Sequence, residues 1–197
     1  ETWYDQSGNG NDATQLTAGK QPKIVDAGAL FLDGGKPALR FDGVNDVLNN
    51  SGANPITSIN NTSSFAVISK RATAGNQIAF SLSEGTSKWF GPSTYSASGL
   101  YFGYAGATNA ISLGTSDTVR HLNTFTANAT TAQAFFDGTL KGTVAASAGA
   151  VSGGMTIGSY TTASIFYWDG AFQEIIIYNS DQTANRPAIE ANINNQY

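Results

Sequence analysis

Few side chains in this sequence are equipped for covalent chemistry. There is one histidine, His121, and no cysteine. Thiol catalysis, disulfides and cysteine-ligated metals are thereby excluded, and a Ser-His-Asp triad would have to run through His121. His121 falls in a strand-like stretch, where a hydrogen-bonded structural histidine is expected. No phosphate-binding loop, Gly-x-Ser-x-Gly elbow or dinucleotide fingerprint occurs. Oxygen donors are more plentiful. Asp5, Gly8, Asn9, Gly10, Asn11 and Asp12 crowd one polar loop after Trp3 and Tyr4, and Asp42, Asn45 and Asp46 crowd a compact turn. Closely spaced carboxylate and amide oxygens suit a hard cation. The first loop matches no EF-hand spacing, however, and a Gly/Asn turn over a buried Trp3 accounts for it.

Binding is better provided for than catalysis. Sugars rest their C–H faces on aromatic rings and bond their hydroxyls to Asn, Asp, Gln and backbone groups, so their sites mix rings with uncharged polar residues. Two stretches have that mixture: Lys88 to Tyr95 and Tyr160 to Trp168. Trp89, Tyr95, Tyr160 and Tyr167 are the candidate ligand-binding residues, on loops gathered at the ends of a sandwich. Trp168, beside Asp169-Gly170, is expected to cap the core instead.

Composition narrows the partners. Hydrophobic residues are 41% and charged residues 12%, with 22 glycines, which is turn-rich, low-charge β composition. The net charge of -4 and the lack of any basic run leave no footprint for nucleic-acid phosphates. No apolar run approaches a membrane span, so no membrane insertion is expected. A length of 197 residues suits one large sandwich, residues 1–197 as a single domain.

The elements that must position these residues are strands. Ala38–Asp42, Ser64–Lys70, Gln77–Ser83, Gly99–Tyr104, Arg120–Thr126 and Gln133–Phe136 carry β-prone or alternating patterns. Asp137-Gly138 predicts a tight turn into Thr139–Val144. A central strand, apolar on both faces, is expected over Ala171–Tyr178, with Phe172, Glu174, Ile176 and Tyr178 on one side and a turn at Asp169-Gly170 before it. Residues 16–37 read as loop. One helix is expected at the C-terminus, because Ile189, Ile193 and Tyr197 share a face. Thr183 or Asn185 is its expected cap, and Pro187 its first turn.

Several of these stretches resemble a known family. Ile157-Gly158, a variable loop, Asp169-Gly170, an apolar strand ending Ile177-Tyr178-Asn179 and a short helix are similar to the close of concanavalin A-like and laminin-G-like domains. Phe135–Leu140, Ala38–Asp46 and Trp3–Asp12 resemble its hairpin, early strand and opening in bacterial and phage members. The resemblance implies an all-β jelly-roll sandwich of two antiparallel sheets with one short C-terminal helix. It implies a structural Ca²⁺, for which Asp42, Asn45 and Asp46 are the candidate ligands. It also implies an extracellular, cell-surface or virion protein, of which this is one domain of a longer chain. The opening and closing motifs are similar, more distantly, to the catalytic domain of arabinofuranosidase B. That likeness implies a retaining pair of carboxylates roughly 5 Å apart. Glu84 is the counterpart of the nucleophile, but no carboxylate follows Ile157-Gly158 before Asp169. The expectation is therefore a non-catalytic carbohydrate-binding or adhesion module, its partner a glycan or cell-surface polysaccharide. A structural decoration or fibre domain contacting other copies, and an arabinofuranosidase-like hydrolase, are the alternatives.

Overall fold

Alternating burial along the strands sorts them into two antiparallel sheets. The computed structural model describes residues 1–50, 56, 58–70, 75–83, 89–95, 99–103, 111–115, 117–146, 154–160 and 165–197, with backbone alone at Ser83, Trp89, Phe90, Tyr95 and Gly103. The larger sheet runs Thr2–Trp3, Ala13–Thr14, Leu48–Asn50, Met155–Ile157, Phe80–Ser83, Trp89–Tyr95, Gly99–Gly103, Ile111–Thr115, with Gln77–Ile78 also pairing to Trp89–Tyr95. The smaller runs Thr139–Ala145, Thr131–Phe136, His121–Ala127, Ser63–Lys70, Asp169–Tyr178, Leu39–Asp42. This is the expected all-β sandwich.

Between the sheets lie Phe41, Phe80, Phe102, Phe125, Phe172 and Trp168, all buried. Phe102 stacks on Phe125 with ring centroids 4.5 Å apart, and Phe41 meets Phe172 edge-on at 5.0 Å. Such pairs add roughly 0.5–1.5 kcal/mol each beyond burial. A second apolar cluster covers the outer face of the smaller sheet. Phe65, Val67 and Leu122 pack there against Ile193 of the helix Arg186–Gln196, with Ile189 and Tyr197 beside it. The expected helix face is the one that docks. Pro187 lies in the first turn and Asn185 is the N-cap, but Asn185 makes no capping bond with its side chain. Its Nδ2 donates to Gln182 Oε1 at 2.9 Å instead, and Thr183 Oγ1 donates to Asp181.

Four local expectations change. Asp169-Gly170 is strand, not turn: the two residues pair with Asp42 and Phe41. Glycine is needed there for space, because a Cβ at Gly170 would lie 2.1 Å from the Ser69 carbonyl oxygen. A β-bulge between Phe172 and Glu174 then breaks the alternation. Phe172, Ile175 and Ile177 face the core between the sheets, whereas Ile176 and Tyr178 face the helix, with Glu174 in phase with them. Trp89–Tyr95 is a strand despite Gly91-Pro92. Pro92 is accommodated where the neighbouring strand breaks at Ala79, whose N–H bonds the Pro92 carbonyl at 2.9 Å. Finally, residues 16–37 contain two small hairpins, Val25–Asp26 with Ala29–Leu30 and Leu32–Asp33 with Lys36–Pro37.

Candidate functional site

One side of the sandwich is closed and the other is open. Edge strands Ile111–Thr115 and Thr139–Ala145 lie against each other on the closed side. On the open side the smaller sheet ends in Leu39–Asp42, which spans only four residues and pairs with Asp169–Phe172. Beyond Phe172 the last strand has no strand partner on that side among the described residues. A groove of about 670 Å³ runs between this free edge and the N-terminal loop. Its walls are Trp3 to Ser7, Asn9 and Asn11 on one side, and Gln173 to Ile177, Asn179 and Tyr197 on the other. Ala13, Asn50, Met155 and Ile157 complete it.

Local hydrogen bonding makes the N-terminal wall rigid. Asp5 Oδ1 accepts the Ser7 N–H at 2.8 Å, and Oδ2 accepts the Asn11 N–H at 2.9 Å and the Ser7 hydroxyl at 2.8 Å. These donors, Asn11 first, hold the Asp5 carboxyl down at about 2. The Asp5 N–H in turn donates to Asp12 Oδ1. Asn50 Nδ2 ties the loop to the sheet through the Asn11 carbonyl at 3.1 Å. Trp3 packs on the core from the rim, while Tyr4 is 66% exposed. The loop is thus a turn, as expected, but it is held by the Asp5 carboxylate and not by a buried Trp3, which is half-buried, and its Tyr4 lines the groove.

The opposite wall is set by the bulge, which places Glu174 beside the end of the helix. Burial pushes the Glu174 carboxyl up. Burial, and then the Glu174 charge, push the Tyr197 phenol up. The groove therefore combines three aromatic residues (Trp3, Tyr4, Tyr197) with a row of amides and hydroxyls, which is the mixture that receives sugars.

The polar loop singled out from sequence supplies one wall, but the four aromatic candidates lie elsewhere. Trp89 and Tyr95 stand at opposite ends of one strand, six residues or ~20 Å apart, so they do not form one site; their side chains and Glu84 lie outside the described residues. Tyr160 and Tyr167 share a loop pinned by Tyr160 N–H to the Ile165 carbonyl and Trp168 N–H to the Gly158 carbonyl. Both are half-buried, and neither lines the groove. Trp168 is buried, its Nε1 donating to the Ser69 carbonyl at 3.1 Å. His121 is structural in geometry, Nδ1 2.6 Å from Asp137 Oδ2 and Nε2 2.9 Å from Asp117 Oδ1.

Asp42, Asn45 and Asp46 do come together, but as a self-bonded turn. Asp42 Oδ1 accepts the N–H groups of Val44, Asn45 and Asp46 at 2.8–3.3 Å, and Asp46 Oδ2 accepts the Asp42 N–H at 3.0 Å. Burial first, and the Asp42 charge second, raise the Asp46 carboxyl to about 6. Calcium takes six to eight oxygens. Here only Asn45 Oδ1 is a buried oxygen without a partner, and no cluster of three His, Cys, Asp or Glu exists among the described residues. This donor set does not fit a calcium shell.

No family model matches the chain, and no curated protein matches its sequence. Solved structures do match. Domain 4 of AbnA, a GH43 extracellular arabinanase from Geobacillus stearothermophilus in complex with arabinotriose, superposes with a TM-score of 0.64 at 12% identity, covering 87% of this chain and 86% of that one. The CBM40 of Ruminococcus gnavus IT-sialidase, bound to alpha2,3 sialyllactose, gives 0.52 at 12% identity over 67% of this chain and 82% of that one. Trypanosoma rangeli sialidase with the inhibitor DANA gives 0.58 at 16% identity over 76% of this chain. The chain spans 26% of that sialidase's length. These likenesses show a lectin-like β-sandwich fold.

Proposed function

We propose that the chain is a non-catalytic carbohydrate-binding module and that its glycan lies in the groove between the N-terminal loop and the free strand edge. The observation that carries this reading is that the exposed Tyr4 lines the groove with Trp3, opposite Gln173, Asn179 and a strand edge that has no strand partner there among the described residues. Domain 4 of AbnA and CBM40, which have the same kind of fold, are sugar complexes and support it. The setting that suits such a module is an extracellular, cell-surface or virion-associated protein of the concanavalin A-like and laminin-G-like type. Among the described residues no helix is long and apolar enough to cross a membrane.

The carboxylates that line the groove favour binding over cleavage. A hydrolase of the retaining or inverting type uses two carboxyl groups across the sugar, one of them able to give or take a proton. Asp5 and Glu174 line the groove, but both oxygens of Asp5 are engaged by its own loop. The test is a glycan array of the intact chain with calcium and with EDTA, wild type against Tyr4→Ala. Specific binding that survives EDTA and falls about tenfold or more in Tyr4→Ala, at unchanged Tm, is expected. Full binding by Tyr4→Ala would remove the groove from consideration, and released reducing ends would make the chain an enzyme.

The free edge of residues 173–178 favours a second reading, a structural domain that pairs with another copy by strand addition. Concentration-dependent dimers in sedimentation, with no glycan bound, would support it.

A further inference from the structure

We infer that the groove selects uncharged glycans and turns acidic ones away, with Glu174 as the residue that sets this preference. The inference rests on the glycan reading of the same groove. Asp5 and Glu174 both line it, and among the described residues no Lys, Arg or His does. Their surroundings differ. The Asp5 charge is spread over the Ser7 and Asn11 donors. Glu174 has no hydrogen bond or ion pair among the described residues, and burial pushes its carboxyl up.

A half-buried carboxylate accepts hydrogen bonds and offers none. A sugar hydroxyl entering the groove would donate to it and supply the partner it lacks. A sugar carboxylate or sulfate would meet a like charge in a partly dry cleft, with no cation lining the cleft to offset it. Selection thus comes as much from repulsion as from contact.

The experiment is calorimetric titration of the intact chain with matched oligosaccharides: a neutral galacto-oligosaccharide series and its sialylated and sulfated counterparts. At low salt the acidic members are expected to bind about tenfold or more weakly than the neutral ones, the gap narrowing as salt screens the charge. Glu174→Gln, which keeps one acceptor and removes the charge, should narrow the gap several-fold, neutral members losing a charge-assisted bond and acidic members losing the repulsion. The salt series needs no variant and tests the same point if Glu174→Gln is unstable. Acidic members binding as tightly as neutral ones, or a gap unaffected by both Glu174→Gln and salt, would overturn the inference and leave the glycan reading intact. Binding of neither class would overturn the glycan reading and this inference together.

Discussion

Single residues set the acid–base behaviour of the molecule, and Asp46 is the clearest case. Its carboxyl ordinarily titrates near 3.8 and is raised to about 6 in the fold, by burial and then by Asp42. The folded state therefore holds the proton more tightly than the unfolded chain does. The resulting stabilisation is complete below about 4 and is lost as pH rises through 6. At neutral pH the molecule carries a buried charge beside Asp42. Asp46→Asn keeps an oxygen for the Asp42 N–H and removes that charge. It is expected to stabilise the protein by about 2 kcal/mol at pH 7.5 and to have little effect at pH 4.5, read as Tm at the two pH values. A destabilised Asp46→Asn at pH 7.5 would mean that the carboxylate does more in the turn than accept one bond. Residue types made this turn legible in the sequence, but not its purpose: three backbone N–H groups converge on Asp42 Oδ1, and no spacing rule distinguishes that from a cation shell.

At the scale of elements, the same dipeptide takes two structures. Asp137-Gly138 is a tight turn, with φ of 48° and 74°, between strands that pair at Phe136 and Thr139 beside it and shift register at a bulge between Ala134 and Phe135. Asp169-Gly170 is strand, paired with Asp42 and Phe41, and its glycine is there for space, because the Ser69 carbonyl and the Trp168 indole crowd the second residue. Gly170→Ala is expected to cost more than about 2 kcal/mol through that clash, whereas Gly138→Ala costs less, through φ alone; urea midpoints would separate them. The helix is tied on by few contacts, of which Ile193 is the most buried. Ile193→Ala should cost about 2–4 kcal/mol and expose Phe65 and Val67, detectable as binding of a hydrophobic dye. All six strands of the smaller sheet could be located from apolar or β-prone runs, because such runs record burial, whereas short strands such as Thr2–Trp3, Ala13–Thr14 and Leu48–Asn50 could not. The groove could not. Its free edge arises from a mismatch in length between Leu39–Asp42 and Asp169–Tyr178, and pairing partners leave no mark on either segment. One signal was present: Glu174 stands alone as a charge within Phe172–Tyr178, a stretch otherwise suited to burial.

For the whole molecule, the order of strands in the smaller sheet fixes when the sheet can exist. Its last strand, Asp169–Tyr178, lies between Leu39–Asp42 and Ser63–Lys70, so its partners are about a hundred residues earlier in the chain. Closing such a loop takes entropy before any contact returns it. Folding is therefore expected on the millisecond-to-second scale of long-range β proteins, and stopped-flow fluorescence of the three tryptophans would time it. While the ribosome is still adding the final stretch, Ser63–Lys70 has its other neighbour, His121–Ala127, and one bare side. The outer face of the same strand, where Phe65 and Val67 await the helix Arg186–Gln196, is uncovered as well. A chain stopped before Asp169 is expected to aggregate and not to hold a partial sandwich. A nascent chain is thus most vulnerable until Asp169–Tyr178 and the helix after it have emerged, and slower decoding of those codons would lengthen that hazard.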